Sequence, residues 1–105
     1  MNELSWTVER DRERAVVVPV GTVTVGTSAG LEGELVALAA ETDVVLDLGE
    51  VTFVDSSGLS VFVAAYKAGV KHRHTVVLDP VPQFLERVLK VTGLGSLLLA
   101  RHRVG

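Results

Sequence analysis

Apolar residues fall along this chain in short blocks separated by polar breaks, and their spacing switches between the strand period and the helix period. Leu4 to Glu9 alternates weakly, Arg10 to Arg14 is a charged turn, and Ala15 to Val25 is rich in valine with Gly21 inside it, which predicts a two-stranded hairpin. Thr27 or Ser28 is suited to cap a helix in which Leu31, Leu35 and Leu38 recur, ending near Thr42-Asp43. Gly30 and Gly33 weaken that helix by about 1 kcal/mol each. Val44 to Leu48, reading VVLDL, is a run expected of a covered strand, and a turn at Gly49-Glu50 separates it from Val51 to Val54.

The period then lengthens again. Leu59, Phe62, Tyr66 and Gly69 or Val70 form one stripe of a helix running to about Lys71, and Thr75 to Leu78 is the next strand. Asp79-Pro80 stops that strand, Pro82 suits a first helical turn, Leu85, Val88 and Leu89 are its inward stripe, and Gly93 closes it. Ser96 to Ala100 reads as a last strand. The order is β-β-α-β-α-β-α-β, and strands joined through helices become parallel by right-handed crossover. The expected fold is α/β: a mixed, mostly parallel sheet packed by helices.

At 105 residues the chain has the size of one domain, residues 1–105 with a core of about 15–100. It is 48% hydrophobic, yet its longest apolar runs, such as Ala15 to Val20 and Leu97 to Ala100, are far shorter than the roughly 18–20 residues of a membrane span. The amino terminus, MNELSWTVERDRER, is charged where an export signal is apolar, so a cytoplasmic chain without membrane insertion is expected. The absence of cysteine removes disulfides and thiolate metal sites; no metal or cofactor is expected. The formal charge of −3 is mild, and the basic residues are spread over Arg10–Arg14, Lys67–Arg73 and Arg101–Arg103, which does not make a nucleic-acid face.

The candidate chemistry lies in VTFVDSSGLSVF, residues 51–62, where Asp55-Ser56-Ser57-Gly58 interrupts two apolar runs. Such a group can cap a helix, supply a nucleophile or accept a phosphate. The esterase elbow needs glycine two residues either side of its serine, but Val54 stands before Ser56 and Asp55 before Ser57 at that spacing. His72, His74 and His102 are distant in sequence from either serine. No GxxxxGK[ST] loop is present, and GLGS at Gly93–Ser96 lacks the third glycine of a dinucleotide fingerprint. Any of Asp55, Ser56 and Ser57 can satisfy the free N–H groups of a helix start, a place that also favours an anion. On the helix that follows, Ser60, Ala64, Lys67 and Lys71 are expected to face outward, bordered by Val61, Ala65 and Ala68. Such a face suits protein contact, and equally a helix that merely favours alanine.

VVLDLGEVTFVDSSGLSVFVAAYK closely resembles the central signature of bacterial anti-sigma factor antagonists, which are single STAS domains. VVLDPVPQFLERVLKVTGL resembles the last helix and Thr-Gly-Leu ending of that family, and the VVVPVG strand extends the likeness. The resemblance covers roughly Ala15 to Ala100. It implies that Ser56 is phosphorylated by the partner, an anti-sigma factor that is itself a serine kinase and binds the ATP. It makes Ser57 a neighbouring Ser/Thr position, a cap or modulator and the second candidate acceptor, with Asp55 and Gly58 as flanks. The unphosphorylated form would bind the anti-sigma factor and free a sigma factor, without catalysis of its own. Where the family commonly reads G-E-[LI]-D, this chain has Gly21-Thr22-Val23-Thr24, so Thr24 replaces an acid near the acceptor. That departure keeps a second reading open, a non-phosphorylated STAS subunit of a lipid or anion transport complex. A small serine hydrolase is the remote third.

Overall fold

The computed structural model describes residues 3–99. β1 (Leu4–Arg10) and β2 (Arg14–Val23) form the expected antiparallel hairpin, in register from Leu4 opposite Gly21 to Arg10 opposite Ala15. The Asp11 carboxylate holds the turn by accepting the Glu13 and Arg14 N–H groups at 2.7 and 3.1 Å. Those two backbone donors keep its carboxyl below the usual carboxylate range. Gly21 has φ of +116°, and a side chain there would run into the Glu3 carbonyl just before β1.

α1 (Ser28–Glu41) carries the chain back to β3 (Asp43–Leu46), which lies parallel to the first half of β2. β4 (Val51–Val54) is parallel to the second half, with a register shift between Gly21 and Thr22. Because β1 occupies one edge of β2, both β3 and β4 lie on the other. Residues 43–54 therefore act as one interrupted strand, which is why the eight-element order predicted from the sequence holds through this region. β5 (Val76–Leu78) pairs in parallel with β3 and completes the order β1-β2-β3-β5.

α2 (Ser56–Lys71) and α3 (Gln83–Thr92) follow β4 and β5. Gly93 ends α3 in the left-handed conformation, as expected of a helix-closing glycine. Alternate residues of the central strands, Ala15 and Val17, Val44 and Leu46, Val76 and Leu78, are buried in one cluster with Leu31 and Leu35 of α1, Val61 and Phe62 of α2, and Leu85 and Leu89 of α3.

Val88, expected on the inward stripe of α3 with Leu85 and Leu89, is 38% exposed, and two further expectations are corrected. The predicted last strand, Ser96 to Ala100, is instead a short helix, α4 (Gly95–Leu98); Leu99 makes a single parallel bridge to Leu78, and Ala100 lies outside the described residues. Leu94 and Leu98 are four residues apart, the helical spacing, and Leu98 goes into the core while Leu97 is exposed. The second correction concerns α2, where Val61 was expected on the partner-facing border and is only 1% exposed. Gly58, Val61, Phe62, Ala65 and Gly69 are the residues that turn inward, while Leu59 and Tyr66 are only half-buried. The helix meets the sheet in part through small residues that permit a close approach: a Cβ on Gly69 would stand 2.9 Å from Val76 Cγ2 of β5.

Candidate functional site

The site is the junction where β4 ends and α2 begins. Asp55 takes extended geometry at φ −98° and ψ −172° and caps the helix, its Oδ1 accepting the Gly58 N–H at 3.0 Å. Its other oxygen, Oδ2, accepts the Val25 N–H at 3.2 Å, and its own N–H donates to the Val23 carbonyl at 3.3 Å. One carboxylate thus starts α2 and holds the loop between β2 and α1 against it. Asp55→Ala is expected to cost about 1–2 kcal/mol in chemical denaturation, the upper part of the range for a cap. It should also increase hydrogen exchange at Val25 as well as Gly58; protection unchanged at Val25 would show that the loop is held by other bonds.

With Asp55 as the cap, neither serine is needed for that purpose. Ser56 is the first helical residue and exposed, Ser57 is half-buried, and among the described residues neither hydroxyl has a hydrogen-bond partner. The Ser56 carbonyl accepts the Ser60 hydroxyl at 3.1 Å, one turn on. Gly58 is buried because a side chain there would collide with the Val23 carbonyl and lie 2.7 Å from Val54 Cγ1. Thr24 is placed in the clamped loop: Thr27 Oγ1 accepts its N–H at 3.0 Å, and its carbonyl takes the N–H groups of Thr27 and Ser28 at 3.0 and 2.8 Å. The loop carrying Thr24 therefore does lie against the Asp55 turn, as the sequence resemblance implied, but with no charge of its own.

Among the described residues neither histidine stands near the two serines. His72 and His74 follow the far end of α2, and 16 residues at 1.5 Å each put about 24 Å between the helix ends. His74 Nδ1 lies 2.7 Å from the Ala39 carbonyl, a structural contact. His102 lies outside the described residues.

Sequence reading missed two apolar neighbours of this turn. Val25 is 78% exposed and Phe53 53% exposed, both next to residues that bond or flank Asp55. Phe53 belongs to a short apolar strand run; the signal available was Thr52 beside it, since in an edge segment of period two the polar and apolar faces had to be assigned from structure. Along α2, Ser60, Val63, Ala64 and Lys67 line a groove of about 370 Å³ with Leu59 and, across it, Leu94. Ser60, Ala64 and Lys67 were expected on this outward face; Val63 and Leu94 were not.

Together these features define a class of protein: a small α/β domain presenting an exposed serine at a helix start beside an apolar groove. The description "Mlab, STAS domain" belongs to the family model matched by residues 6–100, and the chain is a member of the STAS family. An anti-sigma-B factor antagonist of Listeria monocytogenes is 30% identical over 99 residues, spanning 92% of this chain and 87% of the relative. An anti-sigma factor antagonist from Mycobacterium paratuberculosis superposes with a TM-score of 0.77 at 27% identity, over 92% of this chain and 84% of the other. The unphosphorylated form of the antagonist SpoIIAA superposes with a TM-score of 0.73 at 18% identity, over 94% and 90%, which speaks for the fold alone.

Proposed function

We propose that this chain is a cytoplasmic anti-sigma factor antagonist that binds an anti-sigma factor through the Asp55–Gly58 turn and the outer face of α2, and is switched off by phosphorylation of Ser56. The observation that carries the reading is the division of labour at the turn: Asp55 satisfies the helix start, leaving an exposed Ser56 hydroxyl with no hydrogen-bond partner among the described residues. The anti-sigma factor supplies both the ATP site and the base, since Asp55 is engaged by two backbone donors. The exposed Val25, Phe53, Ser60 and Lys67, with the half-buried Ala64, make up the contact around that hydroxyl. Ser57, half-buried, is the less accessible acceptor.

The test is incubation of the chain with ATP and each anti-sigma serine kinase of its own cell. Phosphate should enter wild type and Ser57→Ala and be lost in Ser56→Ala; equal incorporation into wild type and Ser56→Ala would remove Ser56 as the acceptor. A stable complex with permease and ATPase subunits, carrying no phosphate, would place the chain in a transport assembly instead.

A further inference from the structure

The outer face of α2 has a charge that the switch itself does not explain. From Ser56 to Lys71 the helix contains no acidic residue, and it exposes Lys67 and, one turn on, Lys71. Among the described residues neither lysine has a carboxylate within ion-pair distance; the ion pair found there joins Arg10 to Glu41 at 2.9 Å. The chain as a whole is acidic, at −3, so this helix is a local reversal of sign. Lys67 lines the groove whose apolar walls are Leu59, Val63, Ala64 and Leu94. Ser60 and Lys67 lie two turns apart on one row, and Lys71 extends it. At about 370 Å³ the groove falls at the small end of ligand clefts, roughly 300–1,000 Å³.

From this we infer that the groove receives an amphipathic helix of the binding partner, whose apolar stripe packs on Leu59, Val63 and Leu94 and whose flank carries Asp or Glu opposite Lys67 and Lys71. This rests on the antagonist reading and adds the chemistry of the partner surface. A concave apolar wall with cations along one side matches the helix-in-groove mode of recognition, in which alternate turns supply the anchors and the flanking charges fix register and orientation. A lipid surface is the poorer fit, because a flat bilayer leaves the concavity unfilled and anionic headgroups oppose the net charge of the chain.

The experiment titrates the purified anti-sigma factor into the full chain by calorimetry at low and at high salt. For Lys67→Glu/Lys71→Glu the expected result is a loss of about tenfold or more in affinity at low salt, and a salt dependence weakened or reversed relative to wild type. Lys67→Arg/Lys71→Arg should bind within about twofold of wild type, since it keeps both charges. Ala64→Trp, which fills the groove that the half-buried Ala64 lines, should lose binding with its circular dichroism spectrum retained. Equal affinity and equal salt slope for wild type and the Glu pair would overturn the inference while leaving the antagonist reading intact. Failure of wild type to bind any anti-sigma factor of its cell overturns both. Sedimentation with phosphatidylglycerol vesicles, abolished in the Glu pair, would overturn it in favour of a membrane surface.

Discussion

Gly58→Ala is expected to lower the melting temperature by roughly 8–16 °C, although alanine is the better helix former. The local gain is at most about 1 kcal/mol. Against it stands a Cβ that would be driven into the Val23 carbonyl and to 2.7 Å from Val54 Cγ1. The carbonyl belongs to β2 in the middle of the sheet, so it cannot swing aside. α2 must lift instead, loosening Val61, Phe62 and Ala65, which are all buried. Overpacking of this kind costs typically 1–3 kcal/mol and sometimes more. A net loss of about 2 kcal/mol converts at about 4–8 °C per kcal/mol for a domain of this size. The matched control is Gly33→Ala in α1, where nothing lies within 4 Å of the added carbon, and a gain of up to about 1 kcal/mol is expected. Thermal melts of the two variants that shift equally, in either direction, would show that Gly58 is not held by the approach of β2.

The same glycine shows how much of the site was legible in the sequence. Asp, Ser, Ser and Gly at a strand-to-helix junction announced a helix start, and their order placed it within a residue. What the pattern left open was which side chain served as the cap. That depends on Val25, 30 residues away in the chain, whose N–H donates to the second Asp55 oxygen. A long-range partner is invisible to spacing.

Two misreadings share a cause. The stripe Leu59–Phe62–Tyr66–Gly69 holds at Phe62 and Gly69, which are buried, but it favoured the bulky Leu59 and Tyr66, which are only half-buried, over Gly58, Val61 and Ala65, which pack inward where α1 and the sheet press close to α2. Close approach selects small side chains, and periodicity weighted by hydrophobicity discounts them. The last strand failed for a related reason: GSLLL has the apolar content of a strand, but Gly93 had just reversed the chain and Leu94 to Leu98 closed a helical turn over α3. Only Leu99 reached the edge of β5. Strand order was more robust, since it follows from connection length and handedness.

Ser56→Asp is expected to weaken binding to the anti-sigma factor by more than a hundredfold while leaving the fold intact. Two electrostatic effects compete at this position. In the free chain the new carboxylate sits exposed at the amino-terminal end of α2, where the helix dipole favours an anion by about 0.3–1 kcal/mol and the neighbouring Asp55 opposes it. The balance is small, so the melting temperature should change by only a few degrees. In the complex, closure of Val25, Phe53 and the α2 face over the turn would take water from the same charge, and an uncompensated buried charge costs on the order of 3–5 kcal/mol. Desolvation in the complex therefore governs, and at about 1.4 kcal/mol per decade it exceeds a factor of roughly 100. Phosphoserine, with about −1.5 to −2 charge, should do at least as much. Ser56→Asn has nearly the shape of the aspartate without its charge and should bind within about tenfold of wild type, the cost of an uncharged polar misfit. Calorimetry on the three proteins, with circular dichroism to confirm their folding, decides the matter. Equal affinities for the Asp and Asn variants would mean that the turn stays wet in the complex, and that a phosphate on Ser56 must act by its size.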